Sequence, residues 1–182
     1  MFIRHGANVL RALARHVSTD LVFEELEPPL DHPSTRDTLT LLAWHEPTPL
    51  PVLEQAIGLS QSAAVRVVDR LVEAGLVTRS RRGAADRRVW LSLTKEGSHA
   101  AQTITRQAAD PVASLLASAL PSERARRDFV RALDSVVREA VRSSPMQEPA
   151  RFCRTCAVEE CLAGGRACPS AQACRERRDA KG

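Results

Sequence analysis

Residues 57–97, IGLSQSAAVRVVDRLVEAGLVTRSRRGAADRRVWLSLTKEG, carry the tightest local constraints in the chain. Gly58 stands where a helix ends in a left-handed residue, and Ser60 just after it is a good N-cap for another helix. Over residues 61–74 the helical period puts Ala64, Val67, Val68, Leu71 and Val72 on one face. Gln61, Ser62, Val65, Arg66, Asp69, Arg70 and Glu73 lie on the other. Gly75 closes this helix. A shorter helix over about residues 49–57, with Leu50, Leu53, Ala56 and Ile57 on one side, precedes the turn. Helix, glycine turn, helix is the arrangement of a helix-turn-helix. The β-prone arms 76–78 and 89–93 follow, joined by a turn over residues 80–86 that contains Gly83, so a hairpin wing is expected directly after the second helix.

The charge sits in the same place. Residues 1–59 carry four Arg against eight Asp and Glu, whereas residues 60–90 carry seven Arg against three acids. Arg79, Arg81, Arg82, Arg87 and Arg88 crowd a small hairpin, where they repel one another unless an anion answers them. Asp86 is placed to hold Arg87 or Arg88. A wing of this kind is expected to lie along phosphates or to enter a minor groove. On the second helix, Arg66 and Arg70 have the chemistry to grip guanine and Gln61 to grip adenine, while Val65 suits a thymine methyl. Read alone, that polar face is equally an ordinary solvated one, and the basic hairpin tips the balance toward duplex DNA.

The flanking segments read as helices. Val9, Leu10, Leu13, Val17, Leu21, Val22 and Leu26 form a stripe over residues 6–26, which ends at Pro28-Pro29. A helix starting near Thr35 or Arg36 runs to the residues before Pro47, and Pro47-Thr48-Pro49 reads as a rigid turn. From Thr94 a helix carries Ala101, Ile104 and Ala108, is kinked or interrupted at Pro111, and continues through Leu115, Leu116 and Leu120. Ser122 restarts a helix whose stripe is Phe129, Val130, Leu133, Val136, Val137 and Val141. These stripes are more than a small winged domain can bury by itself, and pairing with a second copy would bury the remainder. With four Phe, two Trp and no Tyr, the core is expected to be aliphatic and the chain mainly α.

All five cysteines fall after a linker-like stretch at residues 143–150. In a reducing compartment this clustering points to a metal site rather than to disulfides. Cys153, Cys156, Cys161 and Cys168 are the expected ligands, with Cys174 an alternative to one of them. Four thiolates suit either structural Zn²⁺ or an iron–sulfur cluster, and the spacing does not decide between the two. A redox-active tail without metal is the competing reading. The division expected is a winged domain with its helices over residues 1–142, in which the core spans about 36–97 and dimerisation helices span about 6–26 and 98–142. A linker at 143–150 and a cysteine-rich tail at 151–182 complete it.

The segments GLSQSAAVRVVDRLVEAGLV and DRRVWLSLTKEG resemble the MarR family of transcriptional regulators, and the order of the flanking helices agrees over roughly residues 5–142. The resemblance implies a winged helix-turn-helix homodimer with interlocking terminal helices, reading a pseudo-palindromic operator in double-stranded DNA. By position, Ser60, Gln61, Ser62, Arg66 and Arg70 serve the recognition helix, and Asp86 with Arg87 the wing. Gly83-Ala84-Ala85 occupy the place of an acidic residue and Arg pair common earlier in the family's wing. A dimeric repressor released by a small-molecule effector, or by a redox or metal signal at the cysteines, is the expected function.

A winged-helix adaptor docking an acidic protein partner is the alternative; nonspecific duplex would not displace such a partner at modest salt. Enzyme activity is not expected, since His5, His16, His32, His45 and His99 are scattered, with no recognisable nucleophile or phosphate-cradling loop beside them. No apolar run approaches the roughly 20 residues needed to span a bilayer, and the N-terminus lacks the apolar core and cleavage site of a signal peptide. A cytoplasmic protein without a membrane partner is therefore expected.

Overall fold

The computed structural model describes residues 2–18, 26–83, 86–143 and 168–179. The chain folds as α1 (Phe2–His16), α2 (Pro33–His45), β1 (Thr48–Pro49), α3 (Leu50–Ile57), α4 (Gln61–Glu73), β2 (Val77–Arg81), β3 (Val89–Leu93), α5 (Lys95–Ala119), α6 (Glu123–Ser143) and α7 (Pro169–Asp179). It is a mainly α winged helix, with a three-stranded antiparallel sheet in the order β1-β3-β2. Leu39, Leu41 and Leu42 from α2, Leu53, Ala56 and Ile57 from α3, and Val67, Val68 and Leu71 from α4 form the core. Val77, Leu91, Ala101 and Ile104 complete it. All thirteen side chains are apolar and none is aromatic, as the composition requires.

Local signals set the two turns of the motif. Gly58 (φ 77°) and Gly75 (φ 71°) both adopt the left-handed conformation that an L side chain resists. At the end of α4 the Leu76 N–H donates to the Leu71 carbonyl and the Gly75 N–H to the Val72 carbonyl, each at 2.9 Å, a paired closure that satisfies carbonyls the helix leaves open. Ser60 caps the start of α4, its hydroxyl accepting from the Ala63 N–H at 3.4 Å.

Several boundaries differ from the sequence reading. The first helix begins at Phe2 rather than residue 6, because nothing from Phe2 to His5 opposes a helix; residues 19–25 lie outside the described residues, and Leu26 is not helical. α2 starts at Pro33, whose fixed φ suits a first helical position, and His32 is its N-cap through ring Nδ1, which accepts from the Ser34 N–H at 3.3 Å. Thr48 and Pro49 form a short strand rather than a turn alone, pairing with Leu91 and Trp90. Pro49 is tolerated there because β1 is an edge strand. Glu46 extends this edge by accepting from the Leu93 N–H through Oε2 at 2.7 Å. α5 runs through Pro111 without interruption. Gln107, whose carbonyl loses its helical partner to that proline, is exposed, so water can satisfy it.

Thr94 joins the wing to α5. Its N–H donates to the Leu76 carbonyl at 3.0 Å, its hydroxyl donates to the Gly75 carbonyl at 2.7 Å, and the same oxygen accepts from the Gly97 N–H at 2.9 Å. One side chain thus caps α5 and closes the end of α4. Thr94→Ala is expected to cost about 1–2 kcal/mol, the range of a lost N-cap, read as a lower midpoint in urea with an unchanged slope.

Candidate nucleic-acid interface

The two faces of α4 separate as its periodicity dictates. Ala64, Val67, Val68 and Leu71 are buried, and Gln61, Ser62, Arg66, Arg70 and Glu73 are exposed. Val65 and Asp69 are half-buried. Ser60 is exposed at the start of the helix, and its oxygen, committed to the cap, also lies 3.3 Å from Ser62 Oγ. Arg70 bonds back to the Arg66 carbonyl through Nε at 3.4 Å, which leaves both guanidinium ends on the surface.

The wing is fastened to that surface. Arg79, on β2, reaches Asp69 on α4 with Nη2 at 2.6 Å from Oδ1. An exposed pair of this kind contributes at most about 1 kcal/mol to stability; its consequence is geometric. It ties the first arm of the hairpin to α4, so the helix that carries Arg66 and Arg70 and the hairpin that carries Arg81, Arg82 and Arg87 are held side by side.

At the far end of the hairpin, Asp86 selects Arg88 rather than Arg87. Arg88 donates to Asp86 Oδ1 from Nε at 2.8 Å and from its backbone N–H at 3.1 Å, and to Oδ2 from Nη2 at 3.0 Å. The indole Nε1–H of Trp90 donates to the same Oδ2 at 2.9 Å. These contacts hold the Asp86 carboxyl well below the usual carboxylate range, the Arg88 side-chain bonds contributing most, then the Arg88 backbone bond, then Trp90. Asp86 is therefore held as a carboxylate, and because its pKa is depressed its support for the wing is present at neutral pH and is lost only as pH falls below the ordinary carboxylate range. Arg81, Arg82 and Arg87 are exposed. Among the described residues, none of these three takes part in an ion pair.

The structure brings together Arg66, Arg70, the anchored Arg79 and the wing cations on adjoining elements. Two features of this surface escaped the sequence reading: the link from Arg79 to Asp69, and Trp90, which reads only as an apolar strand position. Of the four expected metal ligands, the described residues include Cys168. Cys153, Cys156 and Cys161 lie outside the described residues. Cys168 is a free, half-buried thiol immediately before α7, its carbonyl accepting from the Gln172 N–H at 2.9 Å. Among the described residues no cluster of three or more His, Cys, Asp or Glu side chains is placed to hold a metal. No helix among them is long and apolar enough to cross a membrane.

Residues 33–88, which contain α2 to β2 and the wing turn, match the family model described as MarR family. Among solved structures, RV1404 from Mycobacterium tuberculosis is 26% identical, with 80% of this chain and 96% of that one covered and a TM-score of 0.59. The transcriptional regulator Tm0710 from Thermotoga maritima is 19% identical over 78% of this chain and 99% of that one, TM-score 0.59. MepR, a transcription regulator of the Staphylococcus aureus multidrug efflux pump MepA, is 18% identical over 72% and 95%, TM-score 0.57. At these last two identities the likeness is one of fold. No protein with a curated function matches the chain.

Proposed function

We propose, from the MarR family match over residues 33–88 and the winged fold that carries it, that this chain is a dimeric, sequence-specific DNA-binding repressor of transcription. Ser60, Gln61, Ser62, Val65, Arg66 and Arg70 face the major groove, and Arg81, Arg82, Arg87 and Arg88, braced by Asp86, follow the adjacent backbone or minor groove. The observation that carries this reading is the Asp69–Arg79 pair, which joins α4 to the wing and holds the two side by side. Phosphate contacts would supply salt-dependent affinity, and the α4 side chains the base reading. The test is a mobility shift against the DNA upstream of the protein's own coding sequence: retardation that an unrelated duplex does not compete away supports the proposal, and equal retardation of both duplexes overturns it.

Dimerisation is proposed from what one copy leaves uncovered. No residue of α1 is buried, and Val9, Leu10 and Leu13 are exposed on it; Leu115 on α5 and Val130 and Val136 on α6 are exposed as well. A second copy bringing the same helices would remove these side chains from water, at about 25 cal/mol per Å² of apolar surface. The spacing of two winged domains then depends on how α1, α5 and α6 pair. A small effector bound among these helices would release the operator by changing that spacing.

The cysteine tail is proposed to hold a metal, zinc or an iron–sulfur cluster, through Cys153, Cys156, Cys161 and Cys168. α7, directly after Cys168, packs on α6; Ser170 and Ala173 of α7 and Val141 of α6 are buried. A change at the thiolates therefore has a mechanical route to a helix of the proposed dimer. Protein purified without air is expected to carry metal. A colourless, zinc-bearing sample assigns zinc, and a brown, iron-bearing one assigns the cluster. A metal-free sample contradicts the proposal.

A further inference from the structure

Trp90 is surrounded by charge. The Arg82 guanidinium carbon lies 3.9 Å from the ring centroid and that of Arg88 lies 5.1 Å away, both within the range of a cation–π contact. The ring nitrogen is meanwhile bonded to Asp86, the carboxylate that grips Arg88. The last ladder pair of the hairpin is Arg81 with Val89, so Arg82 lies just beyond the reach of the sheet. Nothing in the backbone ladder fixes its side chain. The indole does so instead, and spans from the first arm to the second where pairing stops.

We propose that Trp90 is a positioning residue for duplex binding: it holds Arg82 and Arg88 as a pre-set pair of cations at the end of the wing. The long Arg side chain is among the costliest to immobilise, and each rotamer already fixed on the ring is one that phosphate binding need not fix. The indole thus holds both guanidinium groups within cation–π range of one ring without a second carboxylate, which would reduce the attraction for phosphate. Asp86 neutralises one of them in part, and the ring holds the other by its quadrupole alone. The inference rests on the duplex-binding reading above and adds to it a residue that contributes no charge and no base contact.

The experiment is a double-mutant cycle on duplex affinity in the intact protein, run beside thermal melts of the same variants. Trp90→Leu and Arg82→Ala are each expected to weaken binding about five-fold, a cation–π contact's worth of ordering. The double variant should be no weaker than Arg82→Ala by more than about two-fold. Trp90→Phe, which keeps a π face and loses the bond to Asp86, should recover most of the affinity lost in Trp90→Leu. A purely structural role for Trp90 predicts the opposite: losses that add in the double variant and follow the melting temperature, with no rescue by Phe. That result overturns the positioning role while leaving duplex binding intact. Absence of salt-dependent duplex binding by the unmutated protein overturns both.

Discussion

Gly97→Ala is expected to destabilise the fold by about 3 kcal/mol, the upper part of the range for forcing atoms into a packed site. A Cβ at this position would stand 1.9 Å from the Leu76 carbonyl oxygen and 2.9 Å from its carbon. The obstacle is backbone, and it is held: the same carbonyl accepts the Thr94 N–H. Neither partner can retreat without opening the junction where α4, the wing and α5 meet. Denaturation in urea should show the loss as a shifted midpoint. The consequence reaches function, because this junction fixes the wing relative to the long helix that is proposed to pair with a second copy. A Gly97→Ala protein that remains folded at low temperature should therefore bind duplex more weakly than the native protein. A variant as stable as the native protein would mean that the close approach of α5 to Leu76 is wrong.

The Arg66→Ala, Arg87→Ala double variant is expected to lose about two orders of magnitude in operator affinity, from one base-edge contact worth about 1–3 kcal/mol and one phosphate contact. Both side chains are exposed and remote from the core, so the melting temperature should hardly move. The two losses differ in kind. Removing Arg87 should weaken all duplexes alike and reduce the salt slope by about one, whereas removing Arg66 should narrow the gap between operator and unrelated DNA. Unaltered binding by the double variant would place the DNA contacts elsewhere on the molecule.

What the sequence made legible is what depends on near neighbours. Gly58, Ser60 and Gly75 specify their turns through φ and capping, which are properties of a few consecutive residues, and the structure has each of them in that role. The separation of Val67, Val68 and Leu71 from Arg66 and Arg70 follows from helical period alone. The misread elements depend on distant partners. Pro47-Thr48-Pro49 has the local chemistry of a turn, and Thr48 becomes a strand residue only because Leu91 comes alongside. Pro111 breaks helices as a rule, yet α5 runs through it as one helix, with Gln107 one turn earlier exposed. Asp86 faced two adjacent arginines in the sequence, and the alternation of the arm beginning at Val89 does not choose between them; the choice of Arg88 is visible only with the Trp90 indole beside it. The cysteine spacing is silent about packing: α7, directly after Cys168, lies on α6.

The central claim is that α4 and the wing form one DNA-reading surface. Its most direct test is the dissociation constant for the upstream duplex, and for an unrelated duplex of equal length, measured from about 50 to 200 mM salt. A steep linear dependence of log affinity on log salt for both, with the upstream duplex bound about a thousand-fold more tightly throughout, is the expected result. Affinity that does not change with salt, or that is the same for the two duplexes, would contradict the account.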